Sequence, residues 1–176
     1  RPSSVEQVLR PVFDEKQKKA ALKEGRVLAK GLNAGPGAAT GKCVFNAEDA
    51  VEWAELGHKV ILCRIETSPE DIRGMDASEG ILTARGGMTS HAAVVARQMG
   101  KTCVAGCSAA SIDYRRRKME FGDIVIREGD EISLDGSTGE VIAGSITTIP
   151  SEVDRALDGN KKAQKSETYL AFKSLM

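Results

Sequence analysis

Apolar residues along this chain fall into short runs that alternate with amphipathic stretches. Gly41-Lys42-Cys43-Val44-Phe45, Val60-Ile61-Leu62-Cys63, Ile81-Leu82-Thr83 and Thr102-Cys103-Val104-Ala105 read as strands. Between them, Ala47 to Leu56 has a helical pattern that Gly57 ends. Ser68 opens a second helix, with Pro69 at its first position and Glu70 and Asp71 in the next turn. A third helix is predicted from Ser90 to Met99, closed by Gly100. Its Ala92, Val95, Ala96 and Met99 form an apolar stripe suited to packing on a sheet. Strand–helix–strand alternation of this kind favours right-handed crossovers into a parallel sheet.

The texture changes after Lys118. Ile124-Val125-Ile126, Glu131-Ile132-Ser133-Leu134 and Glu140-Val141-Ile142-Ala143 are separated by turn signals at Glu128-Gly129-Asp130 and Asp135-Gly136-Ser137-Thr138-Gly139. That spacing predicts an antiparallel meander. A parallel layer with helices plus a β-rich layer gives a mixed α/β domain. From Ser4 to about Lys30 the pattern is charged and helical, interrupted at Pro11, with Gly25 a weak point. Residues 151–176 are again charged and helix-compatible. The expected organisation is a helical linker over 1–30, a compact domain over 31–150 and a C-terminal linker over 151–176.

Composition narrows the function classes. The 25 basic and 25 acidic residues balance, so no global field favours nucleic acid or an anionic membrane. Arg115-Arg116-Arg117-Lys118 reads as a solvated loop, since no aromatic residue is interleaved with it. No apolar stretch approaches a membrane span and the start is not a signal peptide; a beginning at Arg1 is that expected of a processed or excised piece. Cys43, Cys63, Cys103 and Cys107 sit in apolar contexts and read as buried or semi-buried thiols of an intracellular, reducing compartment. Cys103 and Cys107 are spaced like half of a zinc site, but no second pair matches them, so no metal is expected. Gly35-Pro36-Gly37 reads as a strand-entry turn rather than a nucleotide cradle.

The chemistry concentrates in Gly86-Gly87-Met88-Thr89-Ser90-His91. A histidine here follows a Gly-Gly turn and two hydroxyl residues, at the first turn of an apolar helix. A helix start offers unpaired N–H groups and the positive end of the dipole, which favour a bound anion. Thr89 or Ser90 can cap the helix, and Ser90 can alternatively donate to phosphoryl oxygens. Gly86 and Gly87 let a phosphate donor approach the backbone. Imidazole is a nucleophile able to form a covalent intermediate, provided that one ring nitrogen is unprotonated. A hydroxyl or backbone carbonyl near the loop is the natural partner of the other nitrogen. Arg85 can pair with phosphate as a planar fork or form a surface salt bridge. Arg97 lies nearly two turns beyond His91, roughly 9 Å along the axis, too far for direct phosphate contact.

The segment from Gly80 through Arg85 and His91 to Gly100 resembles the phosphohistidine site of the pyruvate, phosphate dikinase family. The blocks Glu66-Thr67-Ser68-Pro69-Glu70-Asp71-Ile72 and Ser133-Leu134-Asp135-Gly136-Ser137-Thr138-Gly139 resemble that family too, with a weaker fit from about Gly31 to Ile149. Phosphoenolpyruvate synthase and enzyme I of the sugar phosphotransferase system have similar sites, but typically carry Arg where Met88 stands. The synthase typically has Cys where Ser90 stands, so Met-Thr-Ser-His points to the dikinase branch. The resemblance implies a swivelling three-layer β/β/α fold and a transferase that interconverts ATP, phosphate and pyruvate with AMP, pyrophosphate and phosphoenolpyruvate. It implies that His91 carries the phosphoryl group on Nε2 between a nucleotide-binding domain and a pyruvate barrel. It also implies Mg²⁺ for the full-length enzyme, with no cofactor in this domain and no turnover by it alone. In plant dikinases the threonine at the place of Thr89 is a regulatory phosphorylation site. The alternatives are a carrier domain of a related enzyme such as the synthase, or a non-catalytic interaction or metal module.

Overall fold

The structure, a computed structural model, describes residues 11–150. In chain order it begins with β1 (Pro11–Phe13), α1 (Glu15–Lys23), β2 (Val27–Lys30), β3 (Leu32–Gly35) and β4 (Ala38–Val44). Then come α2 (Ala47–Glu55), β5 (Val60–Arg64), a 3₁₀ turn (Pro69–Asp71) leading into α3 (Ile72–Ala77), β6 (Gly80–Thr83), α4 (His91–Met99) and β7 (Thr102–Ala105). The remaining strands are β8 (Ser111–Asp113), β9 (Lys118–Phe121), β10 (Ile124–Arg127), β11 (Glu131–Asp135), β12 (Glu140–Ala143) and β13 (Thr148–Pro150).

Strands β4, β5, β6 and β7 run parallel in the middle of a mixed sheet of order β2-β12-β11-β4-β5-β6-β7-β3, whose other pairings are antiparallel. Both faces of the parallel strands are covered, which is why they read as continuous apolar runs. Alternate residues divide between two cores. Cys43, Ile61, Cys63, Leu82 and Val104 face the antiparallel sheet β10-β9-β8, meeting Met119, Phe121 and Ile126. Val44, Val60, Leu62, Ile81 and Cys103 face the helices, meeting Ala50, Met75, Ala92, Ala93 and Ala96. The result is three layers, β/β/α, as the resemblance implies.

The helices end where their capping chemistry dictates. Asn46 accepts from the Asp49 amide at the start of α2, Ser90 caps α4, and Gly100 closes α4 in the left-handed region at φ 73°. The 3₁₀ turn follows Ser68, with Pro69 leading it as expected.

Three sequence expectations need correction. Among the described residues, the helical reading of Ser4 to about Lys30 holds over Glu15–Lys23, capped by Asp14, and not over 11–13 or 27–30. Gly25 then turns the chain at φ 72°, and Val27–Lys30 pairs with β12 as an edge strand. Phe13 and Ala21 share a third small core with Ala38, Ile142 and Ile146. Residues 11–30 are therefore part of the folded body, and a boundary at residue 30 cuts through the large sheet. The rest of the two linker expectations, at 1–10 and 151–176, lies outside the described residues.

The meander is the second correction. β10 pairs with β9 in the small sheet, whereas β11 and β12 join the large one. The turn at Glu128-Gly129-Asp130 does not close a hairpin. Its Gly129 amide donates to the Cys43 carbonyl and its Asp130 carbonyl accepts from the Cys43 amide, so it carries the chain from one layer to the other. Third, Arg115, Arg116 and Arg117 form an exposed turn as expected, but the last residue of the basic run leaves the loop. Arg117 donates to Glu128 and reaches Asp49 at 3.4 Å, and Lys118 already lies in β9.

Helix α1 is held to the body by Lys18, whose Nζ lies 2.5 Å from Asp135 Oδ2 and 3.0 Å from Glu140 Oε1. Burial works to lower the Lys18 pKa, but the hydrogen bonds and charges of Asp135 and Glu140 outweigh it and leave the ammonium raised above 10.5. Stability from this group is fully present below pH 10.5 and lost as pH rises through the folded-state value. Lys18→Met should lower unfolding stability by about 1–2 kcal/mol at neutral pH, read from denaturant titration. The difference from the unsubstituted protein should shrink above the ordinary lysine range; a difference that persists there would mean charge is not what anchors α1.

Candidate functional site

The C-terminal ends of β5, β6 and β7 lead into one cluster of loops. The Ala84 and Arg85 amides donate to the Arg64 and Ile65 carbonyls, and the Cys107 amide donates to the Thr83 carbonyl. Thr83, fully buried, donates its hydroxyl to the Arg85 carbonyl. These bonds fix where the Gly-Gly turn begins.

Gly86 takes φ 103°, which side chains rarely adopt, and a Cβ there would lie 2.8 Å from Ser90 Cβ. A Cβ at Gly106 would stand 2.6 Å from the Gly86 carbonyl oxygen, so the turn after β7 also packs on this loop through a glycine. Gly87 faces open space. The two glycines therefore differ: Gly86 is required by conformation and by Ser90, and Gly87 is the one that leaves room for a ligand.

Ser90, not Thr89, is the N-cap. Its backbone is extended, its Oγ accepts from the Ala93 amide at 3.4 Å, and its hydroxyl donates to the Gly87 carbonyl at 2.7 Å. Thr89 is exposed, and its hydroxyl has no partner among the described residues. Arg85 is exposed as well, with no ion pair among the described residues, at the rim of a 270 Å³ cleft lined by Ile65, Ser108 and Ile112. Arg97 acts differently from either phosphate contact or mere surface charge. Its guanidinium reaches back along the helix to donate to the Met88 carbonyl at 2.6 Å and the Ala34 carbonyl at 2.9 Å, pinning the loop to β3.

His91 is the first residue of α4 and is half-buried. Its Nδ1 lies 2.9 Å from Thr67 Oγ1, in the segment between β5 and the 3₁₀ turn. With the hydroxyl as acceptor, the proton stays on Nδ1 and the Nε2 lone pair is left for chemistry. Nε2 has no hydrogen-bond partner among the described residues. The unpaired amides of the first helical turn and the dipole lie at the same end, where a transferred phosphoryl group would gain stabilisation. Thr67 is the site residue that the sequence reading did not single out. It belongs to the block Glu66–Ile72, but nothing in that block says which hydroxyl meets a histidine 24 positions away.

The cysteines belong to the cores. Cys43 and Cys63 are free thiols with sulfurs 3.3 Å apart. The Cys43 thiol is pushed up by its hydrogen bond to Cys63 and by burial, and burial pushes Cys103 up to about 12. Cys107 is also raised by burial. Cys103 packs in the core under the helices while Cys107 packs in the core under the small sheet, so the two thiols lie in different cores. Among the described residues no three His, Cys, Asp or Glu side chains converge as a metal site, and no helix is long and apolar enough to cross a membrane.

Residues 56–139 match the family described as PEP-utilising enzyme, mobile domain, and this span encloses Thr67, the Gly-Gly turn and His91. This central stretch of the chain is similar to a mobile domain of PEP-utilising enzymes. The stretch and its flanks are 53% identical over 149 residues to chloroplastic pyruvate, phosphate dikinase 1 of Arabidopsis thaliana, covering 85% of this chain and 15% of that protein. Identity to pyruvate, phosphate dikinase of Clostridium symbiosum is 52% over 155 residues, covering 88% of this chain and 17% of the relative. Pyruvate, phosphate dikinase 2 of Zea mays is 54% identical over 149 residues, covering 85% and 16%. The chain thus spans 15–17% of the length of these relatives. A solution structure of Enzyme I aligns with 61% of this chain and 38% of its own, at 22% identity and a TM-score of 0.35.

Gly86→Ala in this stretch should cost about 1–3 kcal/mol, because the new methyl meets Ser90 in a disfavoured backbone conformation. Gly87→Ala should cost well under half of that. Denaturant midpoints of the two variants, measured side by side, check the contrast.

Proposed function

We propose that this mobile domain is the phosphocarrier of a pyruvate, phosphate dikinase, holding the phosphoryl group on His91 Nε2. The observation that carries the reading is the Thr67–His91 hydrogen bond at the open end of α4, which suits Nε2 to act as the nucleophile. The dikinase names of relatives about half identical over most of this chain support the choice within the family.

In the proposed reaction Nε2 attacks the β-phosphorus of ATP. An N–P bond forms as the bond to the α-phosphate oxygen breaks and AMP leaves. The γ-phosphoryl passes to inorganic phosphate, giving pyrophosphate, and the β-phosphoryl stays on the ring. In a second site the enolate oxygen of pyruvate attacks that phosphorus. The N–P bond breaks, its electron pair returns to Nε2, and phosphoenolpyruvate leaves. Thr67 keeps the proton on Nδ1 throughout, and the first-turn amides of α4 face the added charge. Arg85, exposed and without an ion pair among the described residues, would be available to meet phosphate oxygens in this reading.

Both the nucleotide-binding domain and the pyruvate barrel are partners in this reading, so one imidazole must travel between two sites. Mg²⁺ would neutralise phosphate charge in those partner sites. Among the described residues no three His, Cys, Asp or Glu side chains form a cluster that could hold it. The four buried free thiols support an intracellular, reducing setting.

Two experiments test the reading. Incubating the chain with a dikinase nucleotide-binding domain, phosphate and β-labelled ATP should place acid-labile label on the chain. His91→Asn should abolish that label while leaving the circular dichroism spectrum unchanged; label retained on the variant would remove His91 from the role.

Thr89→Glu should slow labelling on the order of tenfold or more, because a negative charge two residues from the nucleophile repels incoming phosphate. Thr89→Ser should label normally. The same repulsion would make phosphorylation of the exposed Thr89 hydroxyl an off-switch, and an unimpaired Thr89→Glu variant would rule that out.

A further inference from the structure

Thr67 can orient His91 only if its own backbone is fixed, and one of the groups that fix it, Tyr114, comes from the opposite layer of the fold. On the upstream side, the Ile65 amide donates to the Tyr114 hydroxyl at 2.5 Å. The Tyr114 ring lies under the Arg64 guanidinium at 4.5 Å, and Arg64 Nη1 donates to the Phe45 carbonyl at 2.9 Å. On the downstream side, the Ser68 amide donates to Asp71 Oδ2 at 3.0 Å, and the same carboxylate faces Arg64 Nε at 3.7 Å. Arg64 and Asp71 thereby close the segment around Thr67 across its base.

Tyr114 sits at the tip of the β8–β9 hairpin in the small sheet, on the far side of the large sheet from α4. It is 37% exposed, so it adds little to either core. Its hydroxyl meets one polar group among the described residues, the Ile65 amide two residues before Thr67.

We infer that Tyr114 is a positioning residue for the phosphohistidine. By holding the Ile65 amide and bracing Arg64, it sets Thr67 Oγ1 where it keeps the His91 proton on Nδ1. The inference rests on His91 being the phosphoryl acceptor, but its primary signature does not need phosphoryl transfer. A path then runs from the hairpin tip through residues 64–67 to the ring, so a contact made at the small sheet would be felt at Nε2.

The test is nitrogen-15 NMR of the two imidazoles in the full chain, with His58→Asn used to assign them. Thr67→Val removes the bond to Nδ1 and should move the His91 ring shifts toward mixed tautomers. Tyr114→Phe keeps the ring over Arg64 and deletes only the hydroxyl; it should move the His91 shifts in the same direction, by less. Labelling by nucleotide-binding domain and ATP should slow about tenfold for Tyr114→Phe, with the maximal rate falling and the apparent KM for ATP unchanged. In a Thr67→Val background the added Tyr114→Phe change should do nothing further to the shifts.

Wild-type His91 shifts in Tyr114→Phe, alongside displaced shifts in Thr67→Val, would overturn the inference. So would a Tyr114→Phe effect undiminished in the Thr67→Val background, which would mark a general loosening. Shifts that move as expected in a chain that never takes label would instead uphold the positioning role and refute the phosphocarrier reading.

Discussion

Burial of the four parallel strands on both faces is the constraint on which the rest depends. A strand covered on one side needs a single partner layer, but β4 to β7 present apolar side chains in both directions, each worth about 1.5–3 kcal/mol when removed from water. The helices satisfy one face and the small sheet the other. Since the strands are parallel, their C-terminal ends lie together. Thr67, the Gly-Gly turn and the Gly106 turn therefore meet at one edge without any long excursion of chain. The site is a by-product of strand direction, and its precision comes from short bonds between neighbouring loops.

Those bonds are mostly to backbone. Arg97 gives its guanidinium to two carbonyls, Ser90 caps the helix and braces Gly87, and Thr83 holds the Arg85 carbonyl. Ser90, which could have served phosphate, is thus occupied in shaping the loop, and so is Gly86. What remains for an incoming anion is the first turn of α4, the open space at Gly87, and the exposed Arg85 and Thr89. This division explains how a site with two adjacent hydroxyls can use one as scaffold and leave the other accessible.

Local chemistry made part of this legible in the chain. Val60–Cys63 and Ile81–Thr83 announce doubly covered strands, and Ser90 with Gly100 brackets α4. Val27–Lys30 carries no comparable signal, because it is an edge strand whose partner β12 lies more than a hundred residues away. Leu32–Gly35 hides for a related reason: its Leu32 and Asn33 are exposed, and its last two positions are small. The division of β10 from β11 between two layers was equally invisible, since the same Gly-Asp turn serves a hairpin or a crossing. Thr67 was beyond reach because its role depends on β5 and β6 being neighbours. His91, by contrast, stands out from its own surroundings.

The ribbon of β1 and β13 bears on how far the histidine can travel. Pro11 pairs with Pro150, so the chain enters and leaves the described body side by side. The ribbon lies by Gly37, just ahead of β4, at the end where the parallel strands start. His91 lies past the end where they finish. Strands of four and five residues, β6 and β5, separate the two by about 15 Å. On the proposed carrier reading, the sheet would serve as a lever arm, with its pivot at one tip and its load at the other. A turn about the ribbon would then carry the imidazole with the three layers as one body. A pivot beside His91 would have given the same rotation almost no reach.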